Sequence, residues 1–302
     1  MSELEQLKQA ARQLIDTDRM LAGDWLAPGV SLRPSAPAAA PAAARPVAPA
    51  TLAQTAPPRP AAKPVPPVAQ PIPAGQRNLA SPTAAPAAAT ATVPLPVLPE
   101  LTPEGRVKLE QLARIADTEV RLCGRCTLCQ SRTHCVFGEG NPESPLMFIG
   151  EAPGEDEDLQ GRPFVGRAGE LLTRMIIAMG LTRGDVYIAN ILKCRPPDNR
   201  PPAPKEVAAC WDYLIRQIKI IRPRVIVTLG NPATHAILKT TVGITRLRGQ
   251  WQTLPSEDPD LAGIKVMPTY HPSFVLRSYT PENRKNVWLD LQEVMRELGI
   301  KK

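Results

Sequence analysis

The 302-residue chain carries 36 Lys and Arg against 29 Asp and Glu, a formal net charge of +7, and is only 4% aromatic. Its length allows two domains, but residues 28–99 hold over half of the 36 prolines and no Asp or Glu. Such a stretch lacks backbone donors and apolar surface enough to offset the entropy of ordering, which excludes a second folded domain there. The positive excess is compatible with a polyanionic partner and does not by itself require one.

In chain order, residues 3–22 place Leu4, Leu7, Ala11, Leu14, Ile15 and Leu21 at roughly helical spacing. A short amphipathic helix within residues 1–27 is predicted, either docked on the rest of the chain or recruiting a protein partner. Residues 28–100 read as a disordered Pro/Ala-rich linker, made basic by Arg33, Arg45, Arg59, Lys63 and Arg77. Residues 101–302 then form one domain. Thr102, Pro103 and Glu104 open a helix that runs to about Arg121, with Thr102 as N-cap and Pro103 in the first turn.

Four short runs rich in β-branched residues follow: Leu146–Gly150, Val186–Ile191, Val225–Gly230 and Lys265–Tyr270. They read as buried parallel strands. Helical patterns at Ala168–Met179, Lys205–Ile221, Pro232–Leu238 and Glu282–Leu298 alternate with them. The expected fold is a three-layer α/β/α sandwich around a central, mostly parallel four-stranded sheet. Sites in such folds form at the carboxyl ends of strands, which directs attention to residues 151–158, 190–195, 230–231 and 271–277.

No stretch of 18 apolar residues exists, and the opening Ser2-Glu3-Leu4-Glu5 lacks the basic start of a signal peptide. A cytoplasmic monomer without a membrane partner is expected, and there six cysteines serve as metal ligands more often than as disulfides. Cys123 and Cys126 form a C-x-x-C pair, and Cys194 and Cys210 lie far downstream. Four thiolates can close a tetrahedral zinc site or hold a [4Fe–4S] cluster, and spacing does not separate the two. Cys129 forms a second C-x-x-C with Cys126, and Cys135 is a further thiol.

With these cysteines stand four motifs: Gly150-Glu-Ala-Pro-Gly-Glu155, Gly161-Arg-Pro-Phe-Val-Gly166, Asn190-Ile-Leu-Lys-Cys-Arg-Pro-Pro197 and His271-Pro-Ser273. In this order they closely resemble family 4 uracil-DNA glycosylases, over essentially all of residues 105–300. The resemblance implies uracil-containing DNA as partner and a structural [4Fe–4S] cluster. It selects Cys123 and Cys126, with Cys194 and Cys210, as the cluster ligands. It also implies hydrolysis of the N-glycosidic bond of a flipped-out deoxyuridine, leaving an abasic site.

Within that reading, the Asn190 amide can accept from uracil N3–H and donate to O4, a pairing that cytosine cannot match. Phe164 is the stacking ring, and backbone groups of Ala152 and Gly154 help line the uracil pocket. His271 is the donor to the O2 of the departing uracil. Phe274, Val275 and Leu276 resemble the family's wedge, led by Val275 or Leu276, with Arg277 meeting a phosphate or the widowed base. Glu151 is the candidate carboxylate for stabilising the sugar cation or positioning water, with Glu155, Asp156 and Glu157 as lesser substitutes; Ala152 stands where better-known uracil glycosylases have Asp. Two other readings are a uracil-DNA trap and a non-catalytic recruitment module. Trapping relatives carry a Lys-Arg-Arg-Ile-His insert after the Asn-bearing strand, where this chain has Arg195-Pro-Pro-Asp-Asn-Arg200.

Overall fold

The computed structural model describes residues 93–301, all within one compact unit. The helix expected at residues 3–22 and the linker before residue 93 lie outside the described residues. The domain opens with helix α1 (Pro103–Ile115), which passes into a π-turn over Ala116–Val120. As the sequence suggests, Thr102 caps α1 by accepting from the Gly105 amide at 3.1 Å, and Pro103 occupies the first turn. A 3₁₀ turn at Thr127–Gln130 carries the chain to the sheet.

Six strands form one sheet: β1 (Glu139–Gly140), β2 (Leu146–Gly150), β3 (Tyr187–Asn190), β4 (Val225–Leu229), β5 (Gln252–Thr253) and β6 (Lys265–Thr269). Their order is β1-β3-β2-β4-β6-β5. The four expected strands are the central, parallel ones, and the two-residue β1 and β5 pair antiparallel on the edges.

Residue alternation along β2 sorts the helices into two layers. Leu146 and Phe148 face α3 (Arg167–Ala178), α7 (Pro272–Arg277) and α8 (Pro281–Leu298). Met147 and Ile149 face α1, α4 (Pro204–Ile221) and α5 (Gly230–Leu238). The short α2 (Glu155–Gln160) and α6 (Ile244–Leu247) fill connections. Because β3 and β4 flank β2 on opposite sides, the chain reverses direction across the sheet at β2. That switch leaves a crevice at the carboxyl ends of β2, β3 and β4.

A stretch of the segment read as linker packs on this domain. Val93 is buried, and Arg162 donates to the carbonyls of Val93 at 2.8 Å and Pro94 at 2.9 Å. The Val97 carbonyl lies so close to Gly184 that no side chain fits there. Proline favours extended backbone with free carbonyls, which suits this mode of docking. A chain beginning at Ala89 is expected to melt about 5 °C above one beginning at Leu101. Burying one valine contributes about 1.5–2 kcal/mol, and about 2–4 °C accompanies each kcal/mol in a domain of this size. Equal melting temperatures in calorimetry would show that the segment adds nothing.

Candidate active site

A cavity of about 440 Å³ opens at the crevice predicted by the topology, and Glu151, Ala152, Gly154, Phe164, Asn190 and His271 all line it. The sequence separates these residues by up to 120 positions; three strand ends bring them together. Gly150 and Asn190 are direct neighbours across the β2–β3 ladder. A Cβ on Gly150 would collide with the Asn190 amide oxygen and with the tip of the Phe164 ring. Glycine is therefore required where the two recognition side chains meet.

Asn190 is 1% exposed, and its Oδ1 is buried without a hydrogen-bond partner among the described residues. A buried acceptor left unpaired costs about 1–3 kcal/mol, so this atom is poised for a donor that arrives with a ligand. Beside it, Phe164 tilts against the His271 ring with centroids 5.7 Å apart. Phe164 is more enclosed than a surface-loop residue, at 5% exposure, and joins the main core cluster while presenting its ring to the cavity.

The Phe164 backbone is left-handed, with φ of 53°, a strained region for an aromatic residue. Arg183 holds it there, donating to the Phe164 carbonyl at 3.2 Å and the Pro163 carbonyl at 2.7 Å. Glu139 in turn accepts from Arg183 Nη2 at 2.5 Å and from Arg162 Nε at 2.9 Å. Gly169, at the start of α3, leaves room for the Phe164 carbonyl. Neither Arg183 nor Glu139 stands out in the sequence; both are long-range partners of the Gly161–Gly166 motif.

Glu157 is not a spare catalytic acid. Its Oε1 accepts from the amides of Val165 and Gly166, at 2.8 and 2.9 Å, and its Oε2 from Gly154 at 3.0 Å. This carboxylate staples the start of α2 to the Phe164 loop while forming part of the cavity wall. Glu155 pairs with Arg195 at 3.6 Å. Glu151 is thus the acid that faces the cavity without such a structural engagement. Burial raises its pKa, and the charge of Arg277 opposes the rise.

His271 caps α7, and its Nδ1 accepts from the Ser273 amide at 3.1 Å, with the Ser273 hydroxyl 2.7 Å away. A neutral imidazole that accepts at Nδ1 carries its proton on Nε2. Burial, aided by the Arg277 charge, pushes the pKa down to about 4. The ring is therefore a neutral donor at neutral pH.

The wedge reading needs correction. Residues 272–277 form helix α7 rather than a free loop. Val275 is fully buried in the core beneath it, so it cannot enter a duplex; Leu276 is half-buried and packs on the same core. Only Arg277 of the three is exposed and lines the cavity. The cavity lining also includes Asn199 and Arg200, which the sequence presents only in the stretch standing where trapping relatives carry an insert.

The family model of the uracil DNA glycosylase superfamily matches residues 137–292. The type-4 uracil-DNA glycosylase of Thermotoga maritima is 46% identical over 188 residues, covering 61% of this chain and 93% of the relative. That of Saccharolobus solfataricus is 46% identical over 200 residues, covering 64% and 89%. The chain belongs to the type-4 uracil-DNA glycosylases. A type-5 uracil-DNA glycosylase of Pyrobaculum aerophilum is more distant, 32% identical over 149 residues, with 44% of this chain and 63% of the relative covered.

In this type-4 chain the thiols gather on the far side of the Asn190 strand. Cys194 and Cys210 are buried with Leu128 and Leu192, and Cys126 and Cys135 pack against them. Cys123 lies next to them, packed against a cluster with Val120 and Tyr213. Cys129 packs into neither group. Among the described residues no three Cys, His, Asp or Glu side chains already surround a common point. The donor set is all sulfur and mostly buried, and Arg132 donates to Cys194 Sγ at 3.1 Å. A metal–sulfur group fits this chemistry, since a nearby cation offsets thiolate charge. The neighbouring Cys135 thiol and burial push the Cys194 pKa up, and burial pushes Cys210 up to about 11. Holding these sulfurs as thiolates therefore calls for a bound cationic centre.

The tautomer of His271 is directly testable. In ¹⁵N spectra the ring is expected to remain neutral, with Nε2 protonated, at about pH 6, where an ordinary imidazole is mostly charged. Because the unfolded chain gains this proton at about 6.5 and the folded chain at about 4, the linked stability is complete above 6.5. It falls as the pH drops towards 4. A charged His271 at pH 6 would overturn the assignment.

Proposed function

We propose that this protein removes uracil from DNA by hydrolysing the N-glycosidic bond of an everted deoxyuridine, leaving an abasic site. The observation that carries this reading is the unpartnered Asn190 Oδ1, buried at the closed end of a cavity that also presents a ring and a neutral imidazole. Uracil N3–H supplies the missing donor, and its O4 takes the Asn190 amide N–H. Cytosine offers neither group, and each mismatched buried polar atom is worth about 1–3 kcal/mol. A base inside a duplex cannot reach this depth, so the nucleotide swings out of the stack.

As the bond to the sugar lengthens, electrons flow to the base and charge grows on O2. The His271 Nε2–H donates to that oxygen without transferring its proton, because the ring is a neutral donor already fixed by Ser273. The sugar becomes cationic, and the Glu151 carboxylate stabilises it or orients the water that adds to C1′. Arg277, exposed at the mouth, meets the DNA backbone or the widowed base. Cys123, Cys126, Cys194 and Cys210 would hold a [4Fe–4S] cluster, which in a hydrolysis supplies cross-linking rather than electron transfer.

Oligonucleotides bearing U, T or C at one position test the reading by release of free base. Release from U alone is expected, and Asn190→Asp should lower kcat/KM for U by about a hundredfold, since it removes the donor to O4 and sets a negative charge against it. An Asn190→Asp enzyme with native rate and selectivity would sink the role of Asn190. Purified protein is expected to contain about four irons per chain and absorb broadly near about 400 nm. Stripping the iron with oxidant and chelator should lower the melting temperature and base release together. A colourless, zinc-loaded and fully active protein would instead support zinc on the same thiols.

A further inference from the structure

The span from Asn190 to Cys194 links the cavity to the thiols in five residues, and it is tied down at every step. The Ile191 amide donates to the Gly150 carbonyl at 3.0 Å and the Leu192 amide to the Glu151 carbonyl at 3.1 Å. The Lys193 carbonyl accepts from the Val136 amide at 2.8 Å. Lys193 itself is 1% exposed, and its Nζ turns back to donate to the Asn190 carbonyl at 2.8 Å and to Gln217 Oε1 at 2.5 Å. Gln217, wholly buried on α4, donates onward to the Phe137 carbonyl at 3.0 Å and the Tyr187 hydroxyl at 3.2 Å.

A buried amine is costly to place, and an apolar side chain would fill the same volume at less expense. Lys193 does not line the cavity, so contact with the base does not account for it. Its hydrogen bonds do: two of its acceptors belong to the strand end and to the helix that flank the thiols. We propose that Lys193 is a positioning residue for uracil recognition. Locked between the Asn190 carbonyl and Gln217, it fixes the peptide plane of Asn190, and so the direction of the amide, relative to the segment that seats Cys194. A shift of about 1 Å in a recognition group can cost about a hundredfold in rate, so a tether one residue from the thiols has leverage on chemistry it never touches. The inference rests on Asn190 as the reader of the base.

The test uses the iron-loaded protein and three readouts: iron content, inhibition by free uracil, and base release with kcat and KM separated. Lys193→Met removes the tether at similar length. It is expected to retain iron, to weaken inhibition by free uracil about tenfold or more, and to lower kcat with little change in KM for DNA. Gln217→Met leaves the bond to Asn190 but frees the amine on its other side, so a smaller shift in the same direction is expected, less than additive with Lys193→Met. Native uracil inhibition in iron-loaded Lys193→Met overturns the proposal. If Lys193→Met cannot hold iron, Gln217→Met decides, and native uracil inhibition there overturns it equally. Asn190→Asp separates the layers: a defect there with none in the other two variants removes only the positioning role, whereas no defect in Asn190→Asp removes the reading of the pocket on which it stands.

Discussion

An amide oxygen sealed away from solvent with nothing to accept from is the constraint around which this site is built. Asn190 sits at the last position of β3, inside a sheet whose four central strands are buried on both faces. A polar side chain can be held there only if the surrounding structure is rigid enough to resist its finding another partner. The neighbours of Asn190 meet that requirement. Gly150 offers no Cβ to crowd the amide, and the Phe164 ring closes over the same point. Arg183 and Glu139 keep Phe164 in a backbone conformation it would not choose. The site thus stores a small destabilisation in the free protein that a donor reaching Asn190 Oδ1 would relieve.

Charge placement follows from a second constraint, that one cation serves two groups with opposite needs. Burial favours the neutral form of the Glu151 carboxyl, which faces the cavity. Burial favours the neutral form of His271 as well. Arg277, at the end of α7, draws the Glu151 proton off and repels a proton from His271. A single guanidinium therefore acts on both side chains, favouring the ionised carboxylate and the neutral imidazole. Because α7 places His271 at its N-cap and Arg277 at its last residue, a six-residue helix fixes the relation between the two.

The strands were legible because runs such as Val225–Leu229 are short, apolar and β-branched, a pattern that a buried parallel strand demands. The α1 start was legible from Thr102 and Pro103. What escaped is equally physical. Strands β1 and β5 are two residues each, too short to carry a periodicity. Residues 274–277 read as a wedge through their resemblance to the family's, yet a helix turns successive side chains to different sides and sends Val275 into the core. The Arg183–Glu139 clamp spans 44 positions, and no local pattern announces a partner at that distance. Glu157 looked like one acid in a charge run; its three accepted backbone amides depend on the Phe164 loop coming back over α2.

The far side of β3 shows why a hydrolase would carry sulfur ligands at all. Residues 116–135 contribute no strand to the sheet and connect α1 to it through a π-turn and one 3₁₀ turn. Their tethers include Asp158, which accepts from the amides of Thr133 and His134, Arg132, which reaches Cys194 and the Arg121 carbonyl, and the pairs Arg216–Glu119 at 2.6 Å and Arg125–Asp212 at 3.4 Å. Thiols from Cys123 and Cys126 bound to one centre with those of Cys194 and Cys210 would staple this irregular segment to the strand end that carries Asn190 and to α4. Such a cross-link acts on the unfolded chain as a closed loop does, and its benefit grows with the length it encloses. The segment from Cys123 to Cys210 encloses β1, β2, β3 and all of the cavity lining except His271, Ser273 and Arg277. Rigidity at Asn190 and attachment of the thiol-bearing segment are therefore two aspects of one mechanical arrangement, joined at the five residues from Asn190 to Cys194.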